Sequence, residues 1–212
     1  MRPLIALLSV LTFATPAAAQ SLEAACNSLT KISVGQWAEY RATTPQMGNE
    51  PMQMRMAIVG QETANGTPHY WYELKMSSQR GNMIMQALVP GWPYDQGQIA
   101  GMIMKAGDRP AMRLPSQMIG MMSRRPGGSS PARDLLKECT SAEVVGTESV
   151  TVPAGTFDAL HLHATAGQQA DVWVSPDVPF GLVRMKGADG EMELTGKGTD
   201  ATSSITETPQ GM

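Results

Sequence analysis

Apolar and polar residues alternate with a period of two along most of the chain, in short runs separated by Gly, Pro, Asn and Thr. This alternation places successive side chains on opposite faces of a β-strand. Because the runs are short and close together in sequence, they predict a curved antiparallel sheet, in the mainly β (α+β) class. The predicted strands are 37–41, 52–59, 69–76, 83–89, 143–152, 157–164, 170–174, 182–186 and 191–196.

Turn and helix signals lie between these runs. Asn65-Gly66 predicts a hairpin between the second and third strands, with a loop longer than two residues. Residues 21–29 have a capping serine and helical spacing of apolar residues, so they predict a short helix. Residues 116–122 predict another, with Met118, Met121 and Met122 on one side. The segment 98–105 fits strand and helix equally.

The N-terminal residues 1–19 have the organisation of a signal peptide. Arg2 precedes an apolar run from 4 to 14, and Ala17-Ala18-Ala19 supplies the small residues of a cleavage site. We expect cleavage after Ala19 and export to the periplasm. The apolar run is too short to span a bilayer, so we do not expect a membrane-spanning protein. Cys26 lies seven residues after the expected cut, which argues against lipid attachment.

The rest of the chain predicts one domain at 20–200 and a flexible C-terminal tail at 201–212, because the tail is rich in Ser, Thr and Pro. Removing the signal peptide leaves 15 basic and 19 acidic residues, a net charge of −4, so we expect no nucleic-acid partner. Cys26 and Cys139 are the only cysteines. In an exported protein, such a pair predicts a disulfide.

Methionine is the most informative residue of this sequence. There are 17 methionines, and thirteen of them lie between positions 47 and 122. Met52, Met54 and Met56 alternate with polar residues, so a strand would point all three sulfurs to one face. Two interpretations stay open. The methionines line a deformable apolar cavity, or they replace Leu and Phe in an ordinary core, as an aromatic content of only 5% allows.

On the cavity interpretation, the methionines are candidate binding residues for a hydrophobic small molecule or lipid. They come from the alternating runs and from the predicted helix, which would form a lid. The candidates are Met52, Met54, Met56, Met83, Met85, Met102, Met104, Met118, Met121 and Met122.

Copper is a further possibility for these sulfurs, because thioethers are soft ligands that select Cu(I). His161 and His163 share one face of a predicted strand, but both are distant in sequence from every Met-x-Met. We therefore expect no metal site, no other cofactor and no tight Cu(I) binding.

Catalytic motifs are absent from the sequence. It has no nucleophile elbow, no phosphate loop, no His-Glu-x-x-His and only three histidines. We therefore expect a non-enzymatic periplasmic protein that carries a hydrophobic ligand. A structural or stress-related envelope protein without a small-molecule ligand is the alternative, and a copper-binding protein ranks third.

Two segments in the last third of the chain carry a family resemblance. They are Glu148-Ser-Val-Thr-Val-Pro-Ala-Gly-Thr-Phe-Asp-Ala-Leu160 and Asp171-Val-Trp-Val-Ser-Pro-Asp-Val-Pro-Phe-Gly-Leu-Val183. Together they resemble exported bacterial proteins of unknown function related to the LolA/LolB-like lipoprotein-carrier superfamily. The resemblance implies an incomplete barrel with short helices covering its mouth, an apolar cavity and carriage of acyl chains. No arginine of this chain can be matched to the one with which the carriers handle lipoproteins.

Overall fold

The chain folds into a large, curved, open β-sheet with few short helices, and 56% of the residues that the structure describes are in strands. The computed structural model describes residues 22, 26–27, 29–45, 50–79, 81–123, 136–137, 139–164, 169–188 and 190–211. The predicted signal peptide and the Gly/Ser/Pro-rich segment near 126–131 lie outside the described residues. No helix in the described ranges combines the length and apolarity needed to cross a membrane.

Twelve strands of the described ranges make up the sheet. They are β1 (Trp37–Thr43), β2 (Met52–Ala64), β3 (Thr67–Ser78), β4 (Gly81–Val89), β5 (Gly101–Ala106), β6 (Met112–Arg113), β7 (Glu143–Val152), β8 (Gly155–Ala164), β9 (Ala170–Val174), β10 (Leu182–Gly187), β11 (Gly190–Gly198) and β12 (Gln210–Gly211). A 3-10 turn spans Gln96–Gln98, and an α-helix spans Ser116–Ser123.

The order of strands across the sheet is β12-β6-β5-β4-β3-β2-β1-β11-β10-β9-β8-β7. All neighbours are antiparallel except β12 and β6, which are parallel. Because β11 returns to pair with β1, the two meanders β1–β5 and β7–β11 join edge to edge. β7 also contacts β10 and β11, which are not its hydrogen-bonded neighbours, so the sheet curls strongly at this end.

All nine predicted strands are present, which confirms the period-two pattern. The prediction for the Asn65-Gly66 hairpin was wrong in its loop length. β2 and β3 continue to Ala64 and Thr67, which pair directly, so the loop has two residues. Asn65 and Gly66 both have positive φ, 52° and 77°. These are the angles that a tight hairpin turn requires, and Asn and Gly tolerate them best.

The main hydrophobic core lies on the inner, concave face of the sheet. Its fully buried side chains include Tyr40, Ile58, Leu162 and Leu194, from strands spread across the sheet. The Sγ atoms of Cys26 and Cys139 are bonded at 2.06 Å, which confirms the predicted disulfide. Both cysteines are buried in this core, and their bond links two distant parts of the chain to the sheet.

Two smaller clusters lie at the β4–β5 end. On the inner face, Ile119 of the helix packs with Met102 and Leu114. On the outer face, Ile205 of the C-terminal segment packs with Ile103 and Ala111. The segment predicted as a flexible tail thus lies along the outer face of the sheet and ends in β12.

Candidate functional site: a methionine-rich sheet face

The inner face of β1–β5 carries the candidate site. Its positions are the alternate residues that share a face with Tyr40, Ile58 and Tyr72 of the main core. None of them is charged. Sixteen of them are Ala38, Tyr40, Ala42, Met52, Met54, Met56, Ile58, Tyr72, Leu74, Met76, Met83, Met85, Ala87, Val89, Met102 and Met104. Half of these sixteen positions are methionine, so we call this surface the methionine face.

Cross-strand pairing arranges the methionines in rows. Met54 pairs directly with Met76, and Met76 pairs with Met83. In the next row, Met85 pairs with Met104. Directly paired residues have Cβ atoms about 4.5–5.5 Å apart, so these side chains are in mutual contact range.

A further pair extends the same face past β1. Met192 of β11 pairs with Met185 of β10 and with Ala42 of β1, which carries the face onto the second meander. Both of these methionines pack against the main core.

Burial differs among the predicted binding residues. Met102 is a core residue with 3% exposure. Half-buried methionines flank the main core (Met54 and Met56) or the helix cluster (Met85, Met104 and Met118). Met52 and Met83 are half-buried, whereas Met121 and Met122 are 63% and 38% exposed.

The helix turns one side to the sheet, but not the side expected from its methionines. Ile119 is buried there, and Met118 packs beside it. The backbone N–H of Leu114 donates to the carbonyl oxygen of Met102 at 2.9 Å and brings the helix to β5. Met121 and Met122 face solvent, so they do not line the methionine face in this arrangement.

An aromatic cluster packs at the buried end of the methionine face, where Tyr72 lies. The ring centroid of Trp92 is 4.9 Å from that of Tyr72 and 5.1 Å from that of Phe180, and the ring of Tyr94 completes the cluster. Burial raises the pKa of Tyr94 to about 12 and raises that of Tyr72 further above its usual value. Both raised pKa values indicate that the tyrosine hydroxyls are shielded from water, because burial disfavours the charged phenolate.

A polar cluster lies elsewhere, on β7–β9. His161 has one ring nitrogen 3.1 Å from a Glu148 carboxylate oxygen and the other 3.2 Å from an Asp171 oxygen. Its ring stacks on Trp173 with centroids 4.4 Å apart. Hydrogen bonds from His163 and His161 lower the pKa of Asp171. Within the described part of the chain, no group of three His, Cys, Asp or Glu residues is placed to hold a metal ion.

Two shallow cavities lie away from the methionine face. One, of about 350 Å³, is lined by Arg41, Thr43, Pro51, Glu191 and Glu193. The other, of about 230 Å³, lies between the sheet and the C-terminal segment, beside Trp71 and Arg113. Arg41 forms an ion pair with Glu193, and the Arg113 guanidinium lies over the Trp71 ring. Each cavity thus has one of its lining arginines engaged by a neighbouring side chain.

Met76, Met185 and Met192 were missed by the sequence analysis. Met76 follows Tyr72 and Leu74 at alternate positions, so the period of two along β3 would have assigned it to the inner face. Its position between Met54 and Met83 depends on strand register.

Comparisons with known proteins found no matching family model and no matching curated protein. One similar solved structure is "a putative lipoprotein" from Parabacteroides distasonis, with 13% identity and a TM-score of 0.39. Another is "a putative exported protein with YmcC-like fold" from Bacteroides fragilis, with 11% identity and a TM-score of 0.37. Each alignment covers 80% of this chain and 98% of the other. Scores this low support no conclusion about shared function, and no link to lipoprotein carriers appears.

Proposed function

We propose that this chain is an exported, non-enzymatic carrier that binds a hydrophobic ligand, such as a lipid or acyl chain, on its methionine face. The observation that carries the proposal is a wall of uncharged side chains on the concave side of a curved sheet, in which seven of the eight methionines are half-buried rather than buried. A contiguous apolar surface that is not fully covered is typical of a binding site.

The distribution of burial favours a binding surface over an ordinary core. Core residues are normally buried, as Met102 is. Met76 and Met83, in contrast, are half-buried and belong to none of the hydrophobic clusters among the described residues. Their flexible thioether side chains adapt to apolar shapes that differ from one ligand to another.

Charge separation across the sheet supports the same function. On β2 and β3 the charged side chains Arg55, Glu73 and Lys75 alternate with the methionine face, so they belong to the opposite side. An incoming acyl chain would meet no desolvated charge on the inner face, and it would bury thioether and aromatic surface. The incomplete barrel that the family resemblance implies would enclose that acyl chain on the concave side.

Export is supported by the predicted signal peptide and by the disulfide between Cys26 and Cys139. Disulfides persist in oxidising compartments such as the periplasm. The non-enzymatic part of the proposal is supported by His161. Both of its ring nitrogens contact carboxylates, so neither is free to act as a general base toward a substrate.

The test is binding of the neutral fluorescent probe N-phenyl-1-naphthylamine to charged variants of the methionine face. Met83→Lys places the charge outside the packed clusters, so we expect a folded protein with lost probe binding. Met54→Lys places it against the main core, where it also lowers stability. Met121→Lys, on the exposed helix side, is the control and should bind like wild type.

The outcomes separate the two functions left open by the sequence. A folded wild-type protein that binds no probe refutes the carrier and favours the envelope protein without a ligand. Equal loss of probe binding in Met83→Lys and Met121→Lys also refutes the carrier function, because probe binding would then not depend on the methionine face. Native mass spectrometry of protein purified from the periplasm should add a retained lipid mass to the wild type and none to Met83→Lys.

A further inference from the structure

A row of three thioethers crosses the middle of the methionine face. Met54 on β2, Met76 on β3 and Met83 on β4 occupy directly paired positions. Paired positions of an antiparallel sheet project to the same face, so all three sulfurs lie on one face, across three neighbouring strands that are each about 4.7–4.9 Å from the next.

Cross-strand spacing makes this row a better chelating arrangement than the Met-x-Met repeats in the sequence. Alternate residues of one strand are about 6.8 Å apart, whereas direct cross-strand partners have Cβ atoms about 4.5–5.5 Å apart. Met76 is therefore within closer reach of Met54 and Met83 than Met54 is of Met52. Three rotatable bonds let the outer two side chains lean toward the middle one.

The surroundings of the row contain soft and apolar groups. Its cross-strand and same-face neighbours include Tyr40, Met56, Leu74, Met85 and Ala106. The nearest charged residues on these strands, Arg55 and Lys75, alternate with the row and so belong to the other face. All three methionines are half-buried, which leaves an approach from solvent.

We propose that Met54, Met76 and Met83 bind a soft monovalent cation, Cu(I), through their three sulfurs. Thioethers select Cu(I) over harder divalent ions, and this row offers no carboxylate or imidazole that would favour Zn(II). The sequence argued against copper because His161 and His163 are remote from the methionine repeats. That objection does not apply to the row, because Met76 supplies the third ligand and no histidine is needed. The site goes beyond the carrier function and does not require it.

The test is anaerobic competition for Cu(I) against bicinchoninate, with ascorbate as reductant so that the disulfide stays intact. The full mature chain should bind one Cu(I). Met76→Leu keeps the volume and apolarity of the side chain but removes the central sulfur. Loss of outer-shell groups alone weakens metal sites by about 10–100-fold, so loss of a ligand should weaken affinity by at least about tenfold. Met121→Leu and Met185→Leu are matched controls and should bind like wild type.

A second measurement locates the ion. In protein labelled with ¹³C at the methionine methyl groups, the redox-inert Ag(I) should shift the signals of Met54, Met76 and Met83 and leave that of Met121 in place. The proposal is overturned if wild type does not bind, if Met76→Leu binds as well as wild type, or if the controls weaken equally. Met76→Leu conserves side-chain volume and should unfold in urea like wild type, so its copper loss reports the missing sulfur. In the wild type, copper binding without probe binding would defeat only the carrier, and probe binding without copper binding would defeat only this site.

Discussion

The buried carboxylate of Glu73 should be a major determinant of stability, because it fastens the C-terminal segment to the outer face of the sheet. Its side chain is 1% exposed. One carboxylate oxygen accepts hydrogen bonds from the Ser204 backbone N–H at 2.9 Å and from Gln86 Nε2 at 2.8 Å. The other accepts from Ser204 Oγ at 2.7 Å. Arg55 is 4.0 Å away and contributes little hydrogen bonding.

The cost of Glu73→Ala follows from these three bonds. A hydrogen bond to a charged group is worth about 1.5–3 kcal/mol, and removing one partner leaves the others unpaired. Breaking a buried charged network typically costs about 3–5 kcal/mol, and we expect a loss of this size in the free energy of unfolding. Glu73→Gln should cost less, because its amide keeps one acceptor oxygen. Its NH₂ group would face either the Ser204 hydroxyl, which can rotate to accept a hydrogen bond, or the Ser204 N–H and Gln86 Nε2 donors.

Urea unfolding of the disulfide-intact protein measures this loss, and amide hydrogen exchange at Ser204 measures the local opening. Glu62→Ala is the matched control, since exposed Glu62 accepts one hydrogen bond from Trp71 Nε1 at 3.0 Å. It should cost less than about 1 kcal/mol. A Glu73→Ala protein within about 1 kcal/mol of wild type, or with unchanged exchange at Ser204, would refute the reasoning.

Three other predictions concern the core and the polar cluster. Replacing Cys26 and Cys139, 113 residues apart, by Ala should lower the free energy of unfolding by about 3–5 kcal/mol, as measured in urea without reductant. Met102→Ala should cost about 2–5 kcal/mol and exposed Met121→Ala under about 0.5, and equal costs would contradict the assigned burial. The pKa of Asp171 is lowered on folding, so its stabilisation is present above the unfolded value of 3.8 and lost as pH falls through the folded value. Asp171→Asn should therefore lose stability less steeply than wild type on acidification, and identical urea midpoints at every pH would contradict this.

Much of the sheet could be predicted from the sequence, because alternation along a strand is a local property. β7 (Glu143–Val152) and β9 (Ala170–Val174) match their predicted bounds at both ends. β6 and β12 were not predicted, because a strand of two residues is too short to show alternation of apolar and polar positions. The 98–105 segment divided into a 3-10 turn and β5, which explains why it fitted both patterns.

The packing of the C-terminal segment could not be predicted from its composition. Ser, Thr and Pro are typical of a flexible tail, and Ile205 is the one large aliphatic residue in 201–212. The segment is instead fixed by hydrogen bonds from Ser204 to a carboxylate more than a hundred residues earlier. Glu73 gave no sequence signal of burial, since an isolated glutamate in a strand normally faces solvent.

The candidate site was predictable along each strand but not across strands. Alternation shows that Met52, Met54 and Met56 share a face, yet it gives no register with the next strand. The tight Asn65-Gly66 turn sets the pairing of Ala64 with Thr67, and an irregularity between Ile58 and Gly60 then shifts the pairing by one residue, which places Met54 opposite Met76. A loop one residue longer would move Met76 out of line with Met54.

The same register explains why the methionines resemble both a core and a binding surface. At one end of the inner face, the rows contain Tyr72, Ile58 and Ala87, which are fully or nearly buried. Only a few residues further along the same strands, the rows contain Met54, Met76 and Met83, which are half-buried. A sheet that needed only a core would place rigid β-branched or aromatic side chains at both ends, since methionine specifies packing poorly. The change from rigid to flexible side chains along single strands is what a face needs if one end holds the fold and the other adapts to a ligand.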